Sequence, residues 1–164
     1  MPTYPLDENQ WQAYQGLIAH INSRPAHGTI CLIGDFQSGK THLIKHLLKE
    51  KFENATDYYV NLNLYLLAEL DKQRASIAYA GAKAKIHLLL QIAIEDLLER
   101  HFQTCDLLVL DAIEMIYSYE LNLVAITDRF ARDGKCCIIC VPESKKHDYY
   151  FDFSWDLARE IRIN

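Results

Sequence analysis

Apolar residues along this chain follow two kinds of pattern. In the first they recur at three- and four-residue intervals. Trp11, Tyr14, Leu17, Ile18 and Ile21 do so, predicting an amphipathic helix that starts near Asp7 and ends before Pro25. Leu43, Ile44, Leu47 and Leu48 predict a helix from Lys40 to about Phe52. Ile86, Leu89, Leu90, Ala93, Leu97 and Leu98 form one face at the end of a helical region running from about Leu64 to His101, with a break at Gly81. A further helix is predicted over Glu120 to Arg132, stopped by Asp133-Gly134. In the second pattern the apolar residues are contiguous: Thr29 to Ile33, Leu107 to Leu110, and Lys135 to Val141 before Pro142. Runs apolar on every residue suit strands buried on both faces. Tyr58 to Leu62 and Arg159 to Ile163 add two more strand candidates, and residues 143–154 read as a polar, aromatic loop or a short helix. Strands alternating with helices predict an α/β fold: a three-layer core around a mostly parallel, five-stranded sheet. Such sheets carry ligands at the carboxyl ends of their strands.

Composition narrows this picture. The 164 residues suit one domain, with 50% hydrophobic and 24% charged residues, 6 Gly and 4 Pro. The net charge of −5 lacks the basic footprint of a dedicated nucleic-acid binder. No apolar run approaches the ~20 residues of a membrane helix, so no membrane partner is expected. MPTYPLDENQ at the start is not a secretory signal, so a cytoplasmic protein is expected. Three of the five cysteines, Cys136, Cys137 and Cys140, crowd into one apolar run and read as reduced core thiols. His42 and His46 lie one helical turn apart but lack a third partner for a metal.

The strongest chemical signal is Gly34-Asp35-Phe36-Gln37-Ser38-Gly39-Lys40-Thr41, which matches the Walker A pattern between an apolar strand and an amphipathic helix. Gly34 and Gly39 are expected to adopt backbone angles closed to other residues, letting successive N–H groups curl around a phosphate. The following helix aims its positive dipole end at the same anion. Lys40 is the residue to reach the β- and γ-phosphates, and Thr41 the residue to ligate Mg²⁺. Asp111, at the end of the apolar run Leu107 to Leu110, fits the Walker B position and is the second expected Mg²⁺ residue. ATP and Mg²⁺ are therefore the expected ligands, and the absence of any Asn-Lys-x-Asp motif makes GTP the weaker choice.

A strand and a helix intervene between the two motifs. This layout resembles the additional-strand ATPases, which include the AAA+ and RecA-like families. Those proteins commonly carry a glutamate directly after the Walker B aspartate, to polarise the attacking water. Here that position is Ala112, and the nearest carboxylate is Glu114. Glu114 as catalytic base and Glu114 as a solvated turn residue both stay open. The resemblance further implies a γ-phosphate sensor at Pro142-Glu143-Ser144. It also implies an arginine finger for a neighbouring subunit, with Arg159 first, Arg162 second and Arg132 third. The expected organisation is one core over residues 1–164, with 1–25 an N-terminal helix and no C-terminal lid domain.

Size, GDFQSGKT and LLVLDAIE together resemble the BrxF family, small P-loop proteins of BREX bacteriophage-defence systems. That resemblance implies a regulatory ATPase, a homo-oligomer, partners among other defence-system proteins, and DNA contacted directly or through them. Two alternatives stay open. Phe36 with the Ser-Gly-Lys-Thr loop resembles thymidine kinases, and Asp128-Arg129-Phe130 is similar to a nucleoside-kinase motif, although the zinc cysteine pairs are missing. Ala112 also suits a nucleotide-binding scaffold that hydrolyses little. Lys145-Lys146-His147 with Tyr149, Tyr150 and Phe151 mixes cations with aromatics, as nucleic-acid grips do. Glu143, Asp148 and Asp152 dilute the patch, and a solvated loop is the simpler reading. Tyr58, Tyr59, Tyr117 and Tyr119 read as half-buried sheet and loop residues.

Overall fold

The fold was determined as a computed structural model that describes residues 5–23, 28–35, 37–52, 55–73, 82–143 and 158–163. Five strands form one sheet: β1 (Gly28–Gly34), β2 (Tyr59–Asn61), β3 (Leu107–Asp111), β4 (Cys136–Pro142) and β5 (Ala158–Arg162). Their order across the sheet is β2-β3-β4-β1-β5, and every pairing is parallel. The expected "mostly parallel" sheet is thus wholly parallel among the described residues. β4 enters between β1 and β3, so it separates the two strands that carry the phosphate-site motifs.

Alternation along the strands divides the core in two. Cys31, Ile33, Leu108, Leu110, Cys137, Ile139 and Val141 point to one face. There they meet α3 (Leu62–Lys72), α4 (Ala82–Phe102), α5 (Glu114–Ser118) and α6 (Leu123–Phe130). Ile30, Leu32, Leu107, Val109, Cys136, Ile138 and Cys140 point to the other face. There they meet α1 (Glu8–Asn22) and α2 (Lys40–Lys51). Three of the crowded cysteines therefore serve both faces of one strand. Each fully buried Leu or Ile in these layers contributes roughly 1.5–3 kcal/mol.

α1 joins the core through Ala13, Tyr14 and Leu17. It starts with a capping box, in which the Asp7 side chain accepts from Gln10 N and the Gln10 side chain accepts from Asp7 N. The Tyr14 ring meets His46 of α2 edge-on, and Gly16 lets α1 approach Ile161 of β5.

Two sequence expectations shift here, and one helix is new. The strand expected over Tyr58 to Leu62 is only Tyr59–Asn61, because the Asn61 side chain accepts from Leu64 N and starts α3. The helix expected over Glu120 to Arg132 is Leu123–Phe130. Glu120 has a left-handed φ of 54°, and Asn122 caps the helix through Ala125 N. α5 was not expected, since five residues are too few to show a helical period. Gly81, the expected break between α3 and α4, lies outside the described residues. No helix among the described residues is long and apolar enough to cross a membrane.

Candidate nucleotide site

β1 ends at Gly34, and the chain turns through Asp35 to Gly39 before entering α2 at Lys40. Gln37 (φ 63°) and Gly39 (φ 90°) are left-handed, an alternation that folds backbone N–H groups into a concave nest. The special backbone angle expected at two glycines occurs at Gly39 but not at Gly34. Gly34 instead sits in close quarters: a Cβ there would lie 2.4 Å from Ser38 Oγ and 3.2 Å from Ser38 Cβ, so Ser38 would have to turn away.

Side chains cap α1, α3 and α6 from Asp7, Asn61 and Asn122. α2 has no side-chain cap and no acidic residue in its first turn. Its leading N–H groups and positive dipole end are left for an anion. Ser38 Oγ is buried and has no hydrogen-bond partner among the described residues. An orphaned donor and an uncapped helix in one loop fit a phosphate group.

Lys40 Nζ folds back over this loop and donates to Gly34 O at 2.6 Å and Asp35 O at 2.9 Å. Burial lowers its pKa below the usual lysine value, and the nearby Cys140, Asp111, Asp35 and Glu114 oppose that shift. Asp35 lies exposed on the rim, and Phe36 lies outside the described residues.

The acidic side is built by strand register. Asn61 of β2 pairs with Asp111 at the end of β3, so both sit at the carboxyl edge beside the loop. Asp111 is buried, and Thr41 Oγ1 donates to its Oδ2 at 2.7 Å. Tyr59 OH donates to the same oxygen at 2.6 Å, and Ala112 N donates to Oδ1 at 2.9 Å. Burial and the bond to Asp111 push the Tyr59 phenol well above its usual pKa. Cys140 stands in the same wall from β4, its thiol pushed up chiefly by burial.

The chain then passes Ala112, whose φ of 54° is left-handed without glycine's freedom. Asn63 of α3 holds this turn at three points. Its N–H donates to Ala112 O at 2.9 Å, its Oδ1 accepts from Met115 N at 3.0 Å, and its Nδ2 donates to Glu114 Oε2. Glu114 therefore has a fixed carboxylate although it is exposed.

These parts line one open cleft of about 440 Å³, with Lys40, Thr41, Tyr59, Asp111 and Glu114 in its wall. An uncapped helix start and an ammonium suit a polyphosphate. A hydroxyl and a carboxylate in contact form a hard oxygen pair suited to Mg²⁺. Sequence reasoning missed Tyr59 and Asn63. Tyr59 read as an ordinary strand tyrosine, and only the β2–β3 register brings it to Asp111. For Asn63 the signal was Asn61-Leu62-Asn63 straight after a strand.

The remaining candidates lie elsewhere. Arg159 is exposed on edge strand β5 and pairs in register with Ile30. At ~3.3 Å per residue it lies roughly 13 Å short of the sheet's carboxyl edge. Arg162, in register with Ile33, forms ion pairs with Glu143 and Glu160. Glu143, a sensor candidate, is thus engaged by Arg162, while its companion Ser144 lies outside the described residues. Arg132 pairs with Asp128 at 3.0 Å, just ahead of β4 at the amino edge. Arg129 of the kinase-like Asp128-Arg129-Phe130 pairs with Glu95 of α4 at 2.6 Å, so it serves helix packing. Lys145 through Phe151 lie outside the described residues.

A sheet that is all parallel among the described residues, with a phosphate loop after β1 and an acidic residue ending β3, has the architecture of a P-loop core. Among solved structures, the chain is similar to the crystal structure of domain III of the replication initiation protein DnaA from Thermotoga maritima, an AAA+ ATPase domain. The TM-score is 0.60 at 15% identity, covering 100% of this chain and 69% of that one. No protein-family model matches the chain, and no curated protein matches it in sequence.

Proposed function

We propose that this protein is a regulatory ATPase that binds Mg-ATP in the cleft between α2 and β3 and hydrolyses it slowly. The observation that carries this reading is the 2.7 Å contact between Thr41 and Asp111, which joins the two motifs into one hydroxyl–carboxylate pair beside an uncapped helix. In this reading the N–H groups of the nest and Lys40 bind the phosphates. Thr41 and Asp111 hold the magnesium ion, and Glu114 orients the attacking water as general base. A bound magnesium ion would neutralise charge developing on the transferred phosphoryl group. Turnover is slow because Ala112 occupies the place next to Asp111, which leaves the base two residues further along.

The proposal extends to assembly. Arg159 stands exposed on an edge strand, away from its own cleft, so any finger role belongs to the site of a second copy. Nucleotide state then governs a homo-oligomer, and the oligomer governs partner or DNA binding. The resemblance of GDFQSGKT and LLVLDAIE to the BrxF family supports a bacteriophage-defence setting with other defence-system proteins as partners.

The test is mass in solution by light scattering, without nucleotide and with ATP plus Mg²⁺, for wild type and Lys40→Ala. The expected result is a nucleotide-dependent rise in mass that the variant loses. A monomer under all conditions overturns the assembly part. Failure of ATP to bind in calorimetry overturns the whole reading.

A further inference from the structure

The phosphate loop is held from outside by a helix that no phosphate-site motif includes. Gln10, in the first turn of α1, is a polar residue only 7% exposed. Its Oε1 is committed to Asp7 N at 3.0 Å, which fixes the carboxamide plane. Nε2 is thereby directed at the loop, 3.5 Å from both Ser38 O and Gly39 O, a long contact shared between two carbonyls. The approach is close enough that a Cβ on Gly39 would lie 1.9 Å from Nε2. Gly39 is demanded by its left-handed φ, and any Cβ there would push the Gln10 carboxamide away from the loop.

In a trans peptide the carbonyl and the following N–H point in opposite directions. The Gly39 carbonyl is also held by the first turn of α2, accepting from Leu43 N at 2.9 Å, so it is the Ser38 carbonyl that depends on Gln10; turned toward Gln10, it turns the N–H of Gly39 away from it. That N–H leads into α2, where an anion gathers backbone donors. We infer that Gln10 is a positioning residue for the phosphate loop: its carboxamide keeps the Ser38 carbonyl out of the cleft and ties α1 to nucleotide occupancy. The inference rests on the nucleotide-binding reading above and adds the element that senses it. α1 also touches His46 of α2 and Ile161 of β5, so a shift of the loop reaches the edge strand through one rigid helix.

Three variants separate the roles of Gln10. Gln10→Glu keeps the acceptor for Asp7 N, and so the capping box, but loses the donor to the loop. Gln10→Met loses both without adding charge. Asp7→Ala weakens the cap and keeps the donor. Calorimetry with ATP, with and without Mg²⁺, is expected to show about tenfold weaker binding for Gln10→Glu and Gln10→Met. Asp7→Ala is expected to stay within about twofold while melting lower than Gln10→Glu. Affinity in Gln10→Met equal to wild type overturns the inference. So does a Gln10→Glu defect that disappears at 1 M NaCl, where screening removes plain repulsion. A readout free of variants is the side-chain amide resonance of Gln10 in the wild-type protein, expected to move when ADP is added. An unmoved resonance with ADP bound overturns the inference and leaves the nucleotide-binding reading standing. Absence of ADP and ATP binding in wild type removes both.

Discussion

The two walls of the cleft are made by different means. The phosphate loop is a backbone construction: left-handed Gln37 and Gly39 and an uncapped helix start. The facing wall is a side-chain construction. Asp111 accepts from Thr41, Tyr59 and its own neighbour Ala112, while Asn63 pins the turn that bears Glu114. A backbone device tolerates change in most of its side chains but demands glycine where space or φ requires it. A side-chain device fails one hydrogen bond at a time. Substitutions on the two walls should therefore differ in kind as well as size.

The largest effect is expected from Lys40→Ala, which removes the cation of the backbone wall. ATP affinity should fall on the order of 100-fold in calorimetry, with the melting temperature little changed. Asp111→Ala comes next and should behave oppositely. Two hydroxyls lose their acceptor, at about 1–3 kcal/mol each, so the melting temperature falls. Mg²⁺ ceases to tighten ATP binding, while metal-free binding persists. If Asp111→Ala removed metal-free binding as well, the two walls would not be separable.

Asn63→Ala should lower turnover about tenfold, because Glu114 loses its fixed orientation, with ATP affinity held within about twofold. A faster variant would mean that Asn63 restrains the base rather than aiming it. Tyr59→Phe removes one of three hydrogen bonds to Asp111, about 1 kcal/mol, and should raise the Mg²⁺ concentration for half-maximal binding about fivefold.

The smallest effect concerns protons. Burial lowers the pKa of Lys40, so its proton leaves at a lower pH than from a solvated lysine. Phosphate affinity should then weaken as pH rises through the range below the ordinary lysine value. Bound phosphate favours the ammonium, so binding in that range should take up protons. Calorimetry in two buffers of different ionisation enthalpy measures the uptake, and its absence would place the lysine cation fully in charge throughout.

The fold was legible wherever one element satisfied one period. Leu107 to Leu110 and Cys136 to Val141 announce buried strands because both faces of each strand are covered. Leu43, Ile44, Leu47 and Leu48 announce a helix with one buried face. Legibility stopped where a boundary is set by a single side chain. Asn61 ends β2 early by capping α3, and Glu120 and Asn122 delay α6. The loop Gly34 to Thr41 was readable because its chemistry is local and contiguous. The contacts of Tyr59, Asn63 and Gln10 were not, since each joins residues distant in sequence: Tyr59 to Asp111, Asn63 to Glu114, and Gln10 to Ser38. Hydrophobic period carries no information about such pairs.

Lys40 spans only five or six residues to reach the carbonyls of Gly34 and Asp35. Those carbonyls act as a tethered competitor for the ammonium, always present at high effective concentration. An incoming anion must offer more than they do. A lone sulfate or orthophosphate engages few of the loop's donors at once and displaces the tether poorly. A nucleoside triphosphate bound as proposed would engage nest, helix start and lysine together. On the nucleotide-binding reading, the contacts the loop makes with itself would thus favour a polyphosphate over a small anion.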